Sequence, residues 1–150
     1  MIVNGKVLLK AAPLDPMLDS KVRAHGVTRG LGEAGYDVAV AQDICLHPFR
    51  RFTLASTVER FRMPADLIGI VHDKSTFARQ GLSVFNTVIE SGWEGFLTLE
   101  LVYHGWRVLR IPAGSGIAQV VFHQIAEPRR YGGRYQNQPA RPVAAIMEKG

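Results

Sequence analysis

"RFTLASTVERFRMPADLIGIVHD", Arg51–Asp73, contains two β-prone runs separated by "RMPAD". Phe, Thr and Val crowd the first run, where apolar and polar residues alternate in part, Ile and Val crowd the second, and Pro64 lies between them. Alternation with a period of two is the mark of a strand with one buried face, and a Pro-containing cluster between two such runs is a turn. The pattern extends outward in both directions. "KVLLKA" (Lys6–Ala11), "DVAVAQDI" (Asp37–Ile44), "FLTLELVYH" (Phe96–His104), "WRVLRIP" (Trp106–Pro112) and "GIAQVVFHQI" (Gly116–Ile125) read as further strands. "ESGWEG" (Glu90–Gly95) and "RIPAGSG" (Arg110–Gly116) supply turns. Helical spacing is confined to a short turn around Ser75–Gln80 and to "LDPMLDSKVRAHG", Leu14–Gly26. So many short strands in one chain predict an all-β fold, a barrel or jelly-roll-like sandwich with few short helices. Residues 1–150 are expected to form one domain. Its last part, 127–150, is rich in Arg, Gly, Pro and Gln and is expected to pack poorly on its own, as a tail or lid.

The 150 residues and a hydrophobic share of 47% suffice for one substantial core. No apolar run reaches the length of a membrane span, and "MIVNGKVLLK" lacks the pattern of a cleavable leader. The single cysteine, Cys45, excludes an internal disulfide framework and a cysteine-rich zinc site, so a reducing cytoplasmic location is expected. A formal charge of +5 favours an anionic partner. The basic residues are scattered and do not interleave with aromatics, which argues against nucleic acid and suits the phosphates of a small molecule.

One polar segment stands out, "HDKSTFARQGLSVFNTVIESGWEGFLTLEL", His72–Leu101. Lys74, Ser75, Thr76 and Arg79 offer two cations and two hydroxyls within about two helical turns. Such groups at a helix start can cradle phosphate; equally, Ser and Thr there can simply cap a surface turn. Downstream, strand alternation sends Leu97, Leu99 and Leu101 to one face and Phe96, Thr98 and Glu100 to the other. Glu100 is then either the polar side of an ordinary sheet or, under a closed ligand, a desolvated carboxylate fitted for proton transfer. Asp37, just after a glycine turn, is expected to hold that turn through backbone hydrogen bonds. "YGGRYQNQ", Tyr131–Gln138, joins a glycine pair to Arg134 and Gln138, a hinge with donors for phosphate or a plain tail. The five histidines have no metal-ligand spacing.

Taken in order, "AGYDV", "DKSTFARQGL", "VIESGWEGFLTLEL", "IPAGSGIAQVVF" and "YGGRYQNQ" resemble the motifs of the dCTP deaminase and dUTPase superfamily, from about Gly35 to Gln138. The resemblance implies a distorted jelly-roll-type β-barrel, a homotrimer with sites at subunit interfaces, and a nucleotide bound with Mg²⁺ on its triphosphate. It implies Glu100 as the group that takes and returns protons, Ser75 as the holder of the attacking water, and Arg79 as the residue that orients the base. Lys74, Thr76, Arg134 and Gln138 become phosphate contacts. The main chain of Asn86, Thr87, Val88 and Ile89 reads the pyrimidine and deoxyribose, and Glu90, Trp93, Gln119 and Tyr131 complete the substrate-binding set. No protein ligand to a metal is implied.

Hydrolytic deamination adds water to C4 of cytosine and expels ammonia, so one group must accept and return protons, which a poorly solvated carboxylate can do. Zinc deaminases need an H-x-E…P-C-x-x-C signature, which a chain with one cysteine cannot supply. The resemblance thus implies deamination of dCTP to dUTP, which here would be metal-free at the ring, with Mg²⁺ confined to the phosphates. Three positions depart from the deaminase pattern: Glu90 replaces Asp, Val88 stands where a basic residue is usual, and Tyr103 replaces Asn. They keep in view a dUTPase-like diphosphatase in which Glu90 activates water, a bifunctional enzyme, and a nucleotide-binding sensor without turnover.

Overall fold

The computed structural model describes residues 1–148. In chain order the elements are β1 (Ile2–Val3), α1 (Gly5–Ala11), β2 (Leu14–Asp15), β3 (Lys21–Ala24), β4 (Val27–Leu31) and β5 (Tyr36–Ala39). Then come β6 (Ile44–Leu46), β7 (Phe52–Arg62), β8 (Leu67–Asp73), α2 (Ser75–Ala78), β9 (Leu82–Val84) and β10 (Val88–Ile89). The last are β11 (Glu94–Tyr103), β12 (Leu109–Ile111) and β13 (Gly116–Gln124). All named strand pairs are antiparallel. The largest sheet runs β10-β8-β13-β5-β4-β3, with β1 added to β13; the second runs β2-β7-β11-β9, and β12 pairs with β6. Tyr36, Phe61, Leu99, Leu101, Ile117 and Phe122 are fully buried in the shared core. The all-β, jelly-roll-like expectation holds.

Local differences have local causes. "KVLLKA" lies in helix α1 and not in a strand. Only Leu8 of that helix is buried, and a short apolar run cannot by its period alone distinguish helix from strand. Ala12 closes α1 in the left-handed conformation, its N–H donating to Leu8 O, and Pro13 follows. "LDPMLDSKVRAHG" is not helical: it contains β2 and β3, and Pro16 cannot donate to a helical ladder. His25 and Gly26, at φ 52° and 80°, form the two-residue turn of the β3–β4 hairpin, where both positions need positive φ. "DVAVAQDI" divides between β5 and β6.

The long pair β7–β11 changes register once. Between Arg60↔Phe96 and Ser56↔Thr98, β7 advances four residues while β11 advances two, so neither strand changes face. Thr57 fills the irregularity: its Oγ1 accepts Leu97 N–H at 3.0 Å and donates to Glu59 O at 2.8 Å. Glu59 shares the core face of β7 with Ala55, Thr57 and Phe61, is 2% exposed and accepts Ala39 N–H from β5 at 3.0 Å. Desolvation pushes the Glu59 carboxyl up to about 7, from the usual 4.5, against the lowering pull of the Ala39 amide and the Arg29 charge. Between those pH values the folded chain holds a proton that the unfolded chain has released, so stability falls as pH rises across that window. Glu59→Gln keeps an acceptor without the charge. Its stability relative to the parent is expected to improve by about 3 kcal/mol between about pH 5 and pH 8, measured by urea unfolding. A difference independent of pH would remove Glu59 from this role.

Candidate active site

A cavity of about 540 Å³ opens beside β11. Its floor includes Leu97, Thr98 and Glu100, and Phe52 and Leu54 of β7 line it from the neighbouring strand. Leu97, on the same face of β11 as Leu99 and Leu101, packs against the core and also borders the cavity. Asn86, Thr87, Val88, Ile89 and Glu90 form one wall. Trp93, Tyr131 and Gln138 line it too, together with Tyr135, Val143 and Ala145.

Glu100 is half-buried, opposite Leu54 on β7, and desolvation raises its carboxyl above the ordinary carboxylate range. Its peptide is pinned on the other edge of β11: Phe85 N–H donates to Glu100 O at 2.7 Å, and Glu100 N–H to Asn86 Oδ1 at 3.1 Å. Glu90 is an exposed carboxylate on the same cavity. Trp93 is buried against Phe61, ring centroids 5.9 Å apart, and its Nε1–H donates to Tyr135 O at 2.6 Å.

The tail is not loose on this chain. Gln138 bridges Gly95 in parallel; Asn137 N–H donates to Glu94 O at 2.8 Å and Phe96 N–H to Gln138 O at 3.1 Å. Thr98 Oγ1 donates to Gln138 Oε1 at 2.9 Å and accepts Val143 N–H at 3.0 Å. An added Cβ at Gly95, φ 142°, would lie 2.6 Å from Gln138 N, so this close approach requires glycine. Composition alone predicts poor packing here, but β11 supplies unpaired edge groups that the tail satisfies.

Six expected site residues do not line the cavity: Lys74, Ser75, Thr76, Arg79, Gln119 and Arg134. Helix α2 is anchored by buried Phe77, leaving Ser75, Thr76 and Arg79 exposed. Lys74 is its N-cap residue and makes no side-chain cap; its ammonium pairs with the Asp37 carboxylate and reaches Thr28 Oγ1 at 3.3 Å. Both ends of that pair are nearly buried, at 10% and 8% side-chain exposure. Gln119 Nε2 approaches Asp37 Oδ1 at 3.4 Å. Asp37 therefore sits within β5 as the counter-ion of Lys74, and does not hold a turn. Arg134 stacks over Tyr135, donates to Ile146 O at 2.8 Å and faces Glu148 at 3.4 Å. Phe52, Leu54, Tyr135 and Val143 are cavity residues that the sequence does not single out; only Tyr135, inside the tail motif, carries a signal.

Chemically, the cavity joins a carboxylate with raised proton affinity to a main-chain wall and a tail clasp, while an open, cation-bearing helix face lies apart from it. The family model described as dCTP deaminase-like matches residues 30–125. A dCTP deaminase of Herpetosiphon aurantiacus is 31% identical, covering 83% of this chain and 86% of that protein. One of Campylobacter jejuni is 30% identical, covering 95% of both. Among solved structures, a single-residue variant of the dUTPase from phage phi11 of S. aureus, described with a structural Mg(II) ion, superposes with a TM-score of 0.57 at 18% identity over 76% of this chain and 88% of that one. That likeness establishes the shared fold. With the motif order and the cavity around Glu100, these matches establish that the chain belongs to the dCTP deaminase-like family.

Proposed function

We propose that this protein hydrolyses dCTP to dUTP and ammonia, with Glu100 moving the protons. The supporting observation is Glu100 itself, a half-buried carboxyl of raised proton affinity on the floor of the cavity. As a carboxylate it takes a proton from the water that adds to C4. It passes that proton to N3, takes the second from the new C4 hydroxyl and delivers it to the amino group, so that C4=O forms, the C4–N bond to the amine breaks and neutral ammonia leaves. The base form is needed first. Activity at low pH is thus expected to rise through a value above the ordinary carboxylate range, read from kcat/KM against pH; a limb within that range would contradict this role.

Ser75, Thr76 and Arg79 belong to the same reaction in this reading, supplied by a second copy. Their exposure on α2 supports it, as does their separation from the cavity. A homotrimer is expected by light scattering, and an active monomer would sink the shared-site arrangement. Mixing Glu100→Gln chains with Arg79→Ala chains should restore about a quarter of parental activity, because random assembly pairs the two intact half-sites that often. No recovery in mixed trimers would place all these residues on one chain.

Mg²⁺ fits as a companion of the triphosphate. Thr76, exposed on α2, and Gln138, on the cavity, offer donors for the phosphate oxygens that would carry it. When bound, the ion would neutralise phosphate charge.

Glu90 on the same cavity supports a second reading, a diphosphatase releasing dUMP from dUTP. Incubation with dCTP and Mg²⁺, then with dUTP, separates the readings by product. Formation of dUTP and ammonia supports deamination, dUMP and diphosphate support Glu90 chemistry, and both together mean a bifunctional enzyme. A nucleotide-induced rise in melting temperature without product would mean a sensor. A cytoplasmic setting agrees with a nucleotide substrate.

A further inference from the structure

Strand β9 pairs with β11 at three positions, Val84↔Leu101, Ser83↔Val102 and Leu82↔Tyr103. Phe85 N–H extends that ladder by one bond, to Glu100 O at 2.7 Å. There the main chain leaves the sheet, yet the hydrogen bonding along β11 does not stop. The Asn86 carboxamide takes over: Oδ1 accepts Glu100 N–H at 3.1 Å, and Nδ2 donates to Thr98 O at 2.8 Å. A carboxamide carries the same donor and acceptor as a peptide unit, so it can replace one in a ladder. Two groups of β11 that a continuing strand would have satisfied are satisfied by a side chain.

The released main chain then crosses to the other sheet. Two residues on, Val88 and Ile89 form β10 and pair with Ile70 and Gly69 of β8. That crossing, Asn86 to Glu90, lines the same cavity as Glu100. Among the described residues, the main-chain groups of Asn86 and Thr87 take no hydrogen bond within the chain. One side chain thereby fixes the amide of Glu100 and the start of that wall.

We infer that Asn86 is a positioning residue, a side-chain stand-in for strand pairing that sets the wall of the cavity against Glu100. Without the clamp, the edge of β11 at Thr98–Glu100 takes water in place of the carboxamide, and the wall is held only by Phe85 on one side and β10 on the other. Better hydration of Glu100 brings its proton affinity back toward that of an ordinary carboxylate. Asn86→Ala removes both bonds. Asn86→Asp keeps the size and the acceptor but sets a carboxylate oxygen against Thr98 O in place of the donor.

The kinetic part rests on the deaminase reading; the structural part does not. In Asn86→Ala, kcat for dCTP is expected to fall about tenfold or more, and the acidic limb of kcat/KM to move to lower pH. Asn86→Asp should likewise lose rate, despite being nearly isosteric. A loss of rate with the limb unmoved would reduce Asn86 to general support and overturn the inference. Hydrogen exchange of the Glu100 amide supplies a test independent of any reaction. Its exchange should accelerate about tenfold or more in Asn86→Ala, while the Ala118 amide, in the other sheet, stays protected. An unchanged Glu100 amide would refute the clamp whatever the substrate. If the amide loosens but Glu100→Gln is still fully active, the clamp stands and the deaminase assignment of Glu100 falls.

Discussion

Glu100→Gln is expected to lower conversion of dCTP by about a hundredfold or more while leaving nucleotide binding nearly intact. The amide matches the carboxylate in size and polarity, so the cavity keeps its shape. What it loses is the ability to accept a proton from water and return it to the departing amine. Burial beside Leu54 and Leu97 makes the carboxyl a better proton acceptor than one in water, and the substitution removes that advantage entirely. Product formation at saturating dCTP, set beside binding measured by calorimetry, separates chemistry from affinity. Turnover near the parental rate would take Glu100 out of the reaction. The companion variant is Glu90→Gln: loss of diphosphate release there, with Glu100 dispensable, would establish the diphosphatase reading.

Deleting the chain from Tyr131 onward is expected to reduce turnover by a comparable factor without unfolding the barrel. Tyr131, Tyr135, Gln138 and Val143 all line the cavity, so the deletion removes one side of it. It also strips Thr98 Oγ1 of both its partners in the tail, two residues from Glu100. Misplacing groups around a reacting centre by about 1 Å can cost about a hundredfold. The barrel should survive, because the last core strand, β13, ends at Gln124. Some loss of melting temperature is expected, since Trp93 loses its bond to Tyr135 O and part of its cover. The measurements are thermal unfolding by circular dichroism and dCTP turnover of the shortened protein. Limited proteolysis with and without dCTP and Mg²⁺ tests the lid role directly, nucleotide being expected to protect the segment beyond Glu127. Full turnover by the shortened protein would make this segment a spectator.

Much of the architecture is legible in local pattern. β7, β8, β11 and β13 alternate or run apolar over long enough stretches that burial of one face leaves little choice. Ser75–Gln80 as a short helical turn is equally readable, with α2 covering Ser75–Ala78. Glu100 on the polar face of its strand follows from the period alone, and the motif order supplies the wall, Asn86–Glu90, that meets it. Where local pattern fails, the deciding contact lies far away in sequence. Helix α1 buries Leu8 alone, and its neighbours Val7 and Leu9 carry no period that marks which of them enters the core.

Asp37 and Lys74 show the same limit from the side of charge. The sequence separates them by 37 positions, and only the sheet order, in which β13 lies between β8 and β5, makes them a buried pair. Burial discourages isolated charges, so once the two elements meet, each side chain is committed to the other. Glu59 shows the same limit: period two puts it on the core face of β7 with Phe61, but only β5, distant in sequence, supplies the Ala39 N–H that it accepts. By itself, then, the sequence determined the long strands β7, β8, β11 and β13, the family and the carboxylate that lines the cavity, because period and motif are carried by neighbouring residues. The tertiary structure decided which cations are spent in ion pairs, where the tail lies, and that the Asn86 side chain accepts the Glu100 amide where a strand would have done so. Those outcomes depend on which unpaired groups distant segments bring together, and no local pattern records that.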